Sequence, residues 1–327
     1  MPERGRRGPV GPAWLSVAGA ADAAQPPEGD GRRVLAGASL PAMADEGYDG
    51  ARQASDGADP AYDGAGLTDL RVERRHGGVV MLTLALPERR NMMSAAMTAS
   101  WGEAMAGLRA DPSVRAVVVT GEGSAFCSGG DVTWIGATPD ASVAELRARM
   151  LPFYRTWLAV RELEVVTIAA INGAAIGAGL ALALACDLRY AAQDAKLAVP
   201  FTSLGMHAGM ATTYLLPEVA GLALAREMLL TGRVVTGAEA VSLGLVNRAF
   251  PREDVLEATL QVAEAVAAAA PVATRLTKVA LLDGGHASFD AALQWEALAQ
   301  PITLATADLK EGLAAQRERR APRFTGS

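Results

Sequence analysis

A chain of 327 residues, half of them hydrophobic and a fifth charged, with a formal net charge of −6, has the composition of a globular protein and lacks the basic surplus of nucleic-acid binders. Its two cysteines, Cys127 and Cys186, exclude a disulfide framework and make the reducing cytoplasm the expected compartment. No His, Cys, Asp and Glu spacing matches a metal-ligand set, so no metal is expected.

Residues 1–66 are rich in Gly, Ala, Pro and Asp and have no apolar periodicity, which predicts a disordered extension. Arg4, Arg6 and Arg7 ahead of Val10 to Ala21 imitate a leader, but Pro12 and the acidic residues that follow break the pattern. From Leu67 the texture changes. Val79 to Leu84 reads as a strand and Pro87 to Asn91 as a loop. Ser94 to Leu108 follows as an amphipathic helix with Ala96, Met97, Trp101, Met105 and Leu108 near helical spacing. After a turn at Asp111-Pro112, Ala116 to Thr120 is a second strand, its Val run typical of a sheet covered on both faces. The glycine-rich stretch Gly121 to Val132 comes next, either a tight turn or a place where a ligand meets the backbone. Residues 138–163 read as mostly helical, with Phe153, Tyr154, Trp157 and Leu158 as core or as the wall of a pocket.

Ile168 to Asp187 is the centre of the chain: a buried strand, a turn at Asn172-Gly173, and a buried helix starting at about Gly177. None of its side chains up to Cys186 is a strong acid or base. Its chemistry must come from the backbone, because the first amides of a helix lack internal acceptors and point toward negative charge. The uncharged run from Val165 to Cys186 has membrane-span length, but it is Ala/Gly-heavy and has a turn inside it, so no membrane is expected. A phosphate loop is disfavoured, since no Lys-Ser/Thr follows.

Beyond it, Leu188 to Ala191 reads as a strand, Lys196 to Met210 as a loop, residues 222–230 and 237–243 as helices, and Val246 to Phe250 as the last strand. Thr236 and Glu239 form a capping box for the second helix. From Asp254 the pattern is helical, with breaks at Pro271, Asp283 to Gly285 and Pro301. Strands alternating with helices, then helices alone, predict an α/β core (67–265) and a C-terminal helical region (266–327).

Several of these segments together resemble the crotonase superfamily, the enoyl-CoA hydratase/isomerase family. They are Pro87 to Ser94, Ala125 to Val132, Ala169 to Asp187, Thr231 to Arg233, Ala238 to Val246, and the tail from Asp308 to Gly312 and Arg320 to Phe324. The resemblance covers about residues 67–325. It implies a crotonase-type spiral of ββα units, a homotrimer or hexamer held by the C-terminal helices, and an acyl-CoA thioester as ligand, with coenzyme A as part of the substrate and no separate cofactor. It places the two donors to the thioester oxygen at the backbone of Gly130 and Ala178. Met92, Met93, Ser128, Gly129, Asp131, Val132, Gly177, Phe201 and Leu204 fall along the substrate channel, and Lys278 and Phe324 fall where the family often meets the CoA nucleotide. Donors so placed stabilise an enolate or tetrahedral oxyanion by several kcal/mol, about 3 kcal/mol per donor in other systems.

The departures decide the chemistry. The family's two hydratase glutamates correspond to Ala181 and Phe201, so the two-carboxylate route to water addition is missing, and isomerases keep at least one of them. A chlorobenzoyl-CoA dehalogenase branch resembles Phe201 to Leu215 more closely, but its nucleophilic aspartate falls at Gly209. His207 is the remaining titratable group of that loop, a candidate acid/base or a plain loop histidine, and Tyr154 is a second candidate donor. His76 and His286 read as solvated, Asp131 and Asp187 as loop-orienting. The expected function is a lyase or isomerase of acyl-CoA and fatty acid metabolism. The alternatives are a decarboxylase or C–C bond hydrolase acting on a bulky acyl-CoA, and a catalytically silent acyl-CoA binder.

Overall fold

The computed structural model describes residues 62–131, 133, 140–282 and 285–327. The expected extension lies outside these residues apart from 62–66, where Tyr62 N–H donates to Asp111 at 3.1 Å, so the fold takes up the chain from there.

In chain order the elements are β1 (Leu70–Arg74), β2 (Val79–Leu84), α1 (Ala95–Ala110), β3 (Ala116–Gly121), β4 (Ala125–Cys127) and α2 (Val143–Leu158). They continue with β5 (Val166–Ile171), β6 (Ala174–Ile176), α3 (Ala178–Ala185), β7 (Leu188–Ala192), β8 (Lys196–Ala198) and α4 (Thr212–Thr231). Then come β9 (Val235–Thr236), α5 (Gly237–Ser242), β10 (Arg248–Phe250), α6 (Val255–Ala267), α7 (Pro271–Leu281), α8 (Phe289–Leu304) and α9 (Ala307–Glu318). One sheet runs β1-β2-β3-β5-β7-β10 and a smaller one β4-β6-β8-β9. In the first only β1 is antiparallel to its neighbour, and in the second only β9 is. Three times a long strand turns a corner into a short strand of the other sheet and then a helix: β3-β4-α2, β5-β6-α3 and β7-β8-α4. That repetition is the ββα spiral.

The Val-rich strands β2 and β3 are buried along their whole length, which is why they lack alternation. Helix α6 covers β3 and β5, presenting Val255, Thr259, Ala263 and Ala267 to the core at four-residue spacing. The expected boundary at 265/266 thus falls inside α6, and its last turn belongs to the core. Helix α1 starts at Ser94, whose Oγ accepts from Met97 N–H at 3.0 Å. Ala96 is exposed, not core-facing, whereas Met97, Trp101, Met105 and Leu108 are buried. Trp101 stacks on Trp157 of α2 at 4.9 Å between centroids, and the Trp157 indole donates to Thr98 at 3.0 Å.

Several elements differ from the sequence expectation. Strand β8 and a 3-10 turn at Thr202–Leu204 occupy the stretch expected as a loop. Helix α4 starts ten residues earlier than the expected 222, because Pro217 sits inside it and Gly221 (φ 78°, ψ 160°) separates two helical segments. Pro301 lies within α8, and the break comes after Leu304. The uncharged run 165–186 is divided among β5, β6 and α3, and no single described helix is long and apolar enough to cross a membrane.

Candidate active site

Strands β4 and β6 pair in parallel, Cys127 opposite Ala175, and the candidate site forms where both run out. Gly129 has φ 93°, and a Cβ there would lie 2.7 Å from Ile176 O and 3.3 Å from Ala178 N. At Gly179 a Cβ would meet Cys127 O at 2.2 Å. Only glycines allow this approach, and it brings the Gly129-Gly130 backbone against the first turn of α3. Gly177 (φ 56°, ψ −117°) donates its N–H to Ala198 O at 2.8 Å and turns the chain into α3, so Ala178 opens the helix with no carbonyl behind its amide. Neither Gly130 N–H nor Ala178 N–H has an acceptor among the described residues. A Cβ on Gly130 would meet nothing within 4 Å, so there is open space beside this residue. Helix α3 is buried throughout, which keeps the field of its N-terminus unscreened by water.

Two asparagines hold the glycine turns in place. Fully buried Asn91, at φ 53°, accepts from Leu86 N–H at 3.0 Å and donates to Glu122 O and Ala125 O at 2.9 and 2.8 Å. Asn172 donates to Gly121 O and Gly123 O at 2.8 and 3.0 Å and accepts from Gly121 N–H at 3.2 Å. Arg252 ties the same corner from outside, donating to Ser124 O and Asn172 O at 3.1 and 2.6 Å. The sequence reading named the asparagines only as loop and turn residues. Their signal was present, since Asn favours left-handed backbone and bonds locally to main chain.

The expected channel residues divide into buried, half-buried and exposed ones. Met92 and Met93 are buried, and Met93 N–H donates to Gly129 O at 2.9 Å, fixing the turn that carries Gly130. Ser128 N–H donates to Arg90 O at 3.0 Å. Asp131 accepts from Thr133 N–H and Oγ at 2.9 and 2.6 Å and stands 3.7 Å from Arg89, an orienting role. Val132 lies outside the described residues. The Phe201 ring is buried, 3.7 Å from the position of a Cβ on Gly177, and Ala181 is fully buried on α3. Neither side chain is an acid or a base. Leu204 is 63 % exposed, at the edge of the site rather than in its wall. His207 is exposed too; its Nδ1 is 2.7 Å from Ala208 O, which can only accept, so Nδ1 carries a proton and the neutral ring keeps its lone pair on Nε2.

Lys278 is not free for a nucleotide: its ammonium is buried, 2.8 Å from both Asp187 and Val165 O. Asp187 also accepts from Thr167 N–H and Oγ at 2.7 and 2.9 Å. At that C-terminal end of α3 lies an open cavity of about 660 Å³, lined by Asp187, Lys278, Arg161, Arg189, Glu218, two threonines and apolar residues; of the expected contacts it holds Lys278 alone, and neither amide donor nor any expected channel residue. Among the described residues no cluster of His, Cys, Asp and Glu could hold a metal.

An enoyl-CoA hydratase/isomerase family profile matches residues 74–327. A Thermus thermophilus protein that carries an enoyl-CoA hydratase name is 40% identical over 255 residues, spanning 78% of this chain and 100% of the relative. The (E)-benzylidenesuccinyl-CoA hydratase of Thauera aromatica is 35% identical over 254 residues, spanning 76% and 96%. The crystal structure of an enoyl-CoA hydratase from Bacillus anthracis superposes with a TM-score of 0.74 at 32% identity, over 80% of this chain and 100% of that one.

Proposed function

The chain belongs to the enoyl-CoA hydratase/isomerase family, and on that premise we propose that it processes an acyl-CoA thioester whose carbonyl oxygen is held by Gly130 N–H and Ala178 N–H. The observation that carries the reading is that those two amides, without an acceptor among the described residues, are brought together by the close contact at Gly129. Negative charge grows on the thioester oxygen in an enolate or a tetrahedral intermediate, and both amides are in place before it does. On this reading the reaction needs no coenzyme beyond the CoA carried by the substrate, and a reducing compartment is the setting that suits two free, buried thiols.

Apolar Ala181 and Phe201 leave His207 as the titratable group of the loop that follows β8, and its Nε2 is the proposed base. The same two side chains favour a second reading, loss of CO₂ or cleavage of a C–C bond in a bulky acyl group, where the substrate supplies the leaving group and the enzyme needs fewer acids. A silent acyl-CoA binder is the reading without chemistry.

Mass spectrometry of crotonyl-CoA incubated with the protein in deuterated water separates these. Deuterium incorporation without added water supports enolate chemistry, and its loss in His207→Ala with retained binding assigns the base. Added water would overturn the inference from Ala181 and Phe201. Binding without either change leaves the cleavage reading and the silent binder, which turnover of β-carboxylated or 3-oxoacyl-CoA esters then divides. Absence of any CoA-ester binding would end the proposal.

A further inference from the structure

The cavity of about 660 Å³ lies at the far end of α3 from the candidate active site. Ala178 opens that helix and Cys186 closes it, so about 12 Å of helix separates the cavity from the amide of Ala178. Five charged side chains stand in the wall, three cations and two carboxylates. Each carboxylate has its own cation: Asp187 pairs with Lys278 and Glu218 with Arg161, both at 2.8 Å. The third cation, Arg189 of β7, has no carboxylate among the described residues. It is only 8% exposed, and two main-chain carbonyls fix its guanidinium: Nε donates to Leu245 O at 3.1 Å and Nη1 to Cys186 O at 2.7 Å. Its Nη2 has no acceptor among the described residues and is not sealed from solvent. The negative end of α3 offsets roughly half a charge at most, which leaves the wall with an excess of positive charge. A nearly buried cation without a counter-charge is costly until a partner meets it. Around it the wall is mostly apolar, through Val166, Leu184, Val219 and Val266.

We propose that this cavity is a second ligand site, which takes a small organic monocarboxylate with an apolar body. Its carboxylate meets Arg189 Nη2, and its body lies along the valines and Leu184. The volume is that of a small-molecule site. One uncompensated cation matches one negative charge, whereas a dicarboxylate would set its second charge against an apolar wall. The site is independent of the acyl-CoA reading above.

The test is calorimetric titration of the full chain with benzoate and with benzamide, which share a size and differ in charge. Benzoate should bind about tenfold tighter or more, the worth of one charge-assisted hydrogen bond. Arg189→Gln should remove that preference. Because this change also gives up bonds to Leu245 O and Cys186 O, Thr277→Trp serves as a second variant. Thr277 is an exposed residue of α7 in the cavity wall, so the indole fills the space and leaves the guanidinium in place. It should weaken binding of benzoate about tenfold or more. No difference between benzoate and benzamide, binding of neither included, would overturn the proposal, as would benzoate binding that survives both variants. Competition between benzoate and crotonyl-CoA would move the anion to the paired amides and overturn it too. A fall in the mass of the assembly in Arg189→Gln, without benzoate binding to the unaltered chain, would make an acidic side chain of a second copy the partner instead.

Discussion

Gly129 and Gly130 are neighbours with opposite demands. At Gly129 a methyl would meet Ile176 O and force an L-residue to φ 93°; at Gly130 it would meet nothing. Gly129→Ala should therefore cost about 2–4 kcal/mol of stability, read as a lower melting temperature. Gly130→Ala should leave the melting temperature unchanged or slightly higher, because it narrows the unfolded ensemble without a clash. Yet it should lower kcat/KM at least tenfold, since the methyl would enter the open space beside the proposed donor. Full activity in Gly130→Ala would mean that the acyl thioester does not use the open space beside residue 130. At this scale the sequence was legible where chemistry is carried by the backbone: glycines after a Val-rich strand announce close approach before any fold is known. It was less legible for Asn91, whose three hydrogen bonds reach main chain both within its own loop and across to the next corner, and pairing over that distance leaves no periodic trace.

The long strands and helices were readable because burial imposes a pattern on them, while β4, β6 and β8 were not. Three residues hold no period, and these strands exist because the preceding long strand turns a corner and pairs with an equally short neighbour. Lys278 illustrates the same limit in a helix. On α7 it reads as a free cation, but the fold turns it inward, where it bonds Val165 O next to β5 and Asp187 between α3 and β7. Lys278→Met should cost about 3 kcal/mol, because it leaves a partly buried carboxylate without its cation. Measured below its lowered melting temperature, the variant should bind CoA as the wild type does. A selective loss of CoA affinity with unchanged stability would return Lys278 to the nucleotide site.

Two properties belong to the whole molecule. Burial pushes the thiols of Cys127 and Cys186 up from 9.0 to about 12. Between those values the unfolded chain has lost protons that the folded chain keeps, so stability falls as pH rises. Denaturant melts at pH 8 and pH 10 should differ by roughly 1.4 kcal/mol per thiol, and Cys186→Ala should remove its share of that difference. The second property is association. Leu281, Phe289, Leu298 and Leu304 on α7 and α8 are 70%, 80%, 64% and 53% exposed, more apolar surface than an isolated chain normally leaves to water. Light scattering should give a mass three or six times that of one chain, and Phe289→Asp should shift it downward. A wild-type monomer would remove the trimer expectation.

The Trp101–Trp157 stack has an optical consequence. Two indoles at 4.9 Å and 20° between planes couple their strong electronic transitions, so the folded protein should show a paired far-ultraviolet circular dichroism band absent from Trp157→Phe. Because one indole is on α1 and the other is on the helix that also bears Tyr154, the splitting of that band reports the seating of α2, and a titration with acyl-CoA would show whether the helix moves when the acyl group arrives.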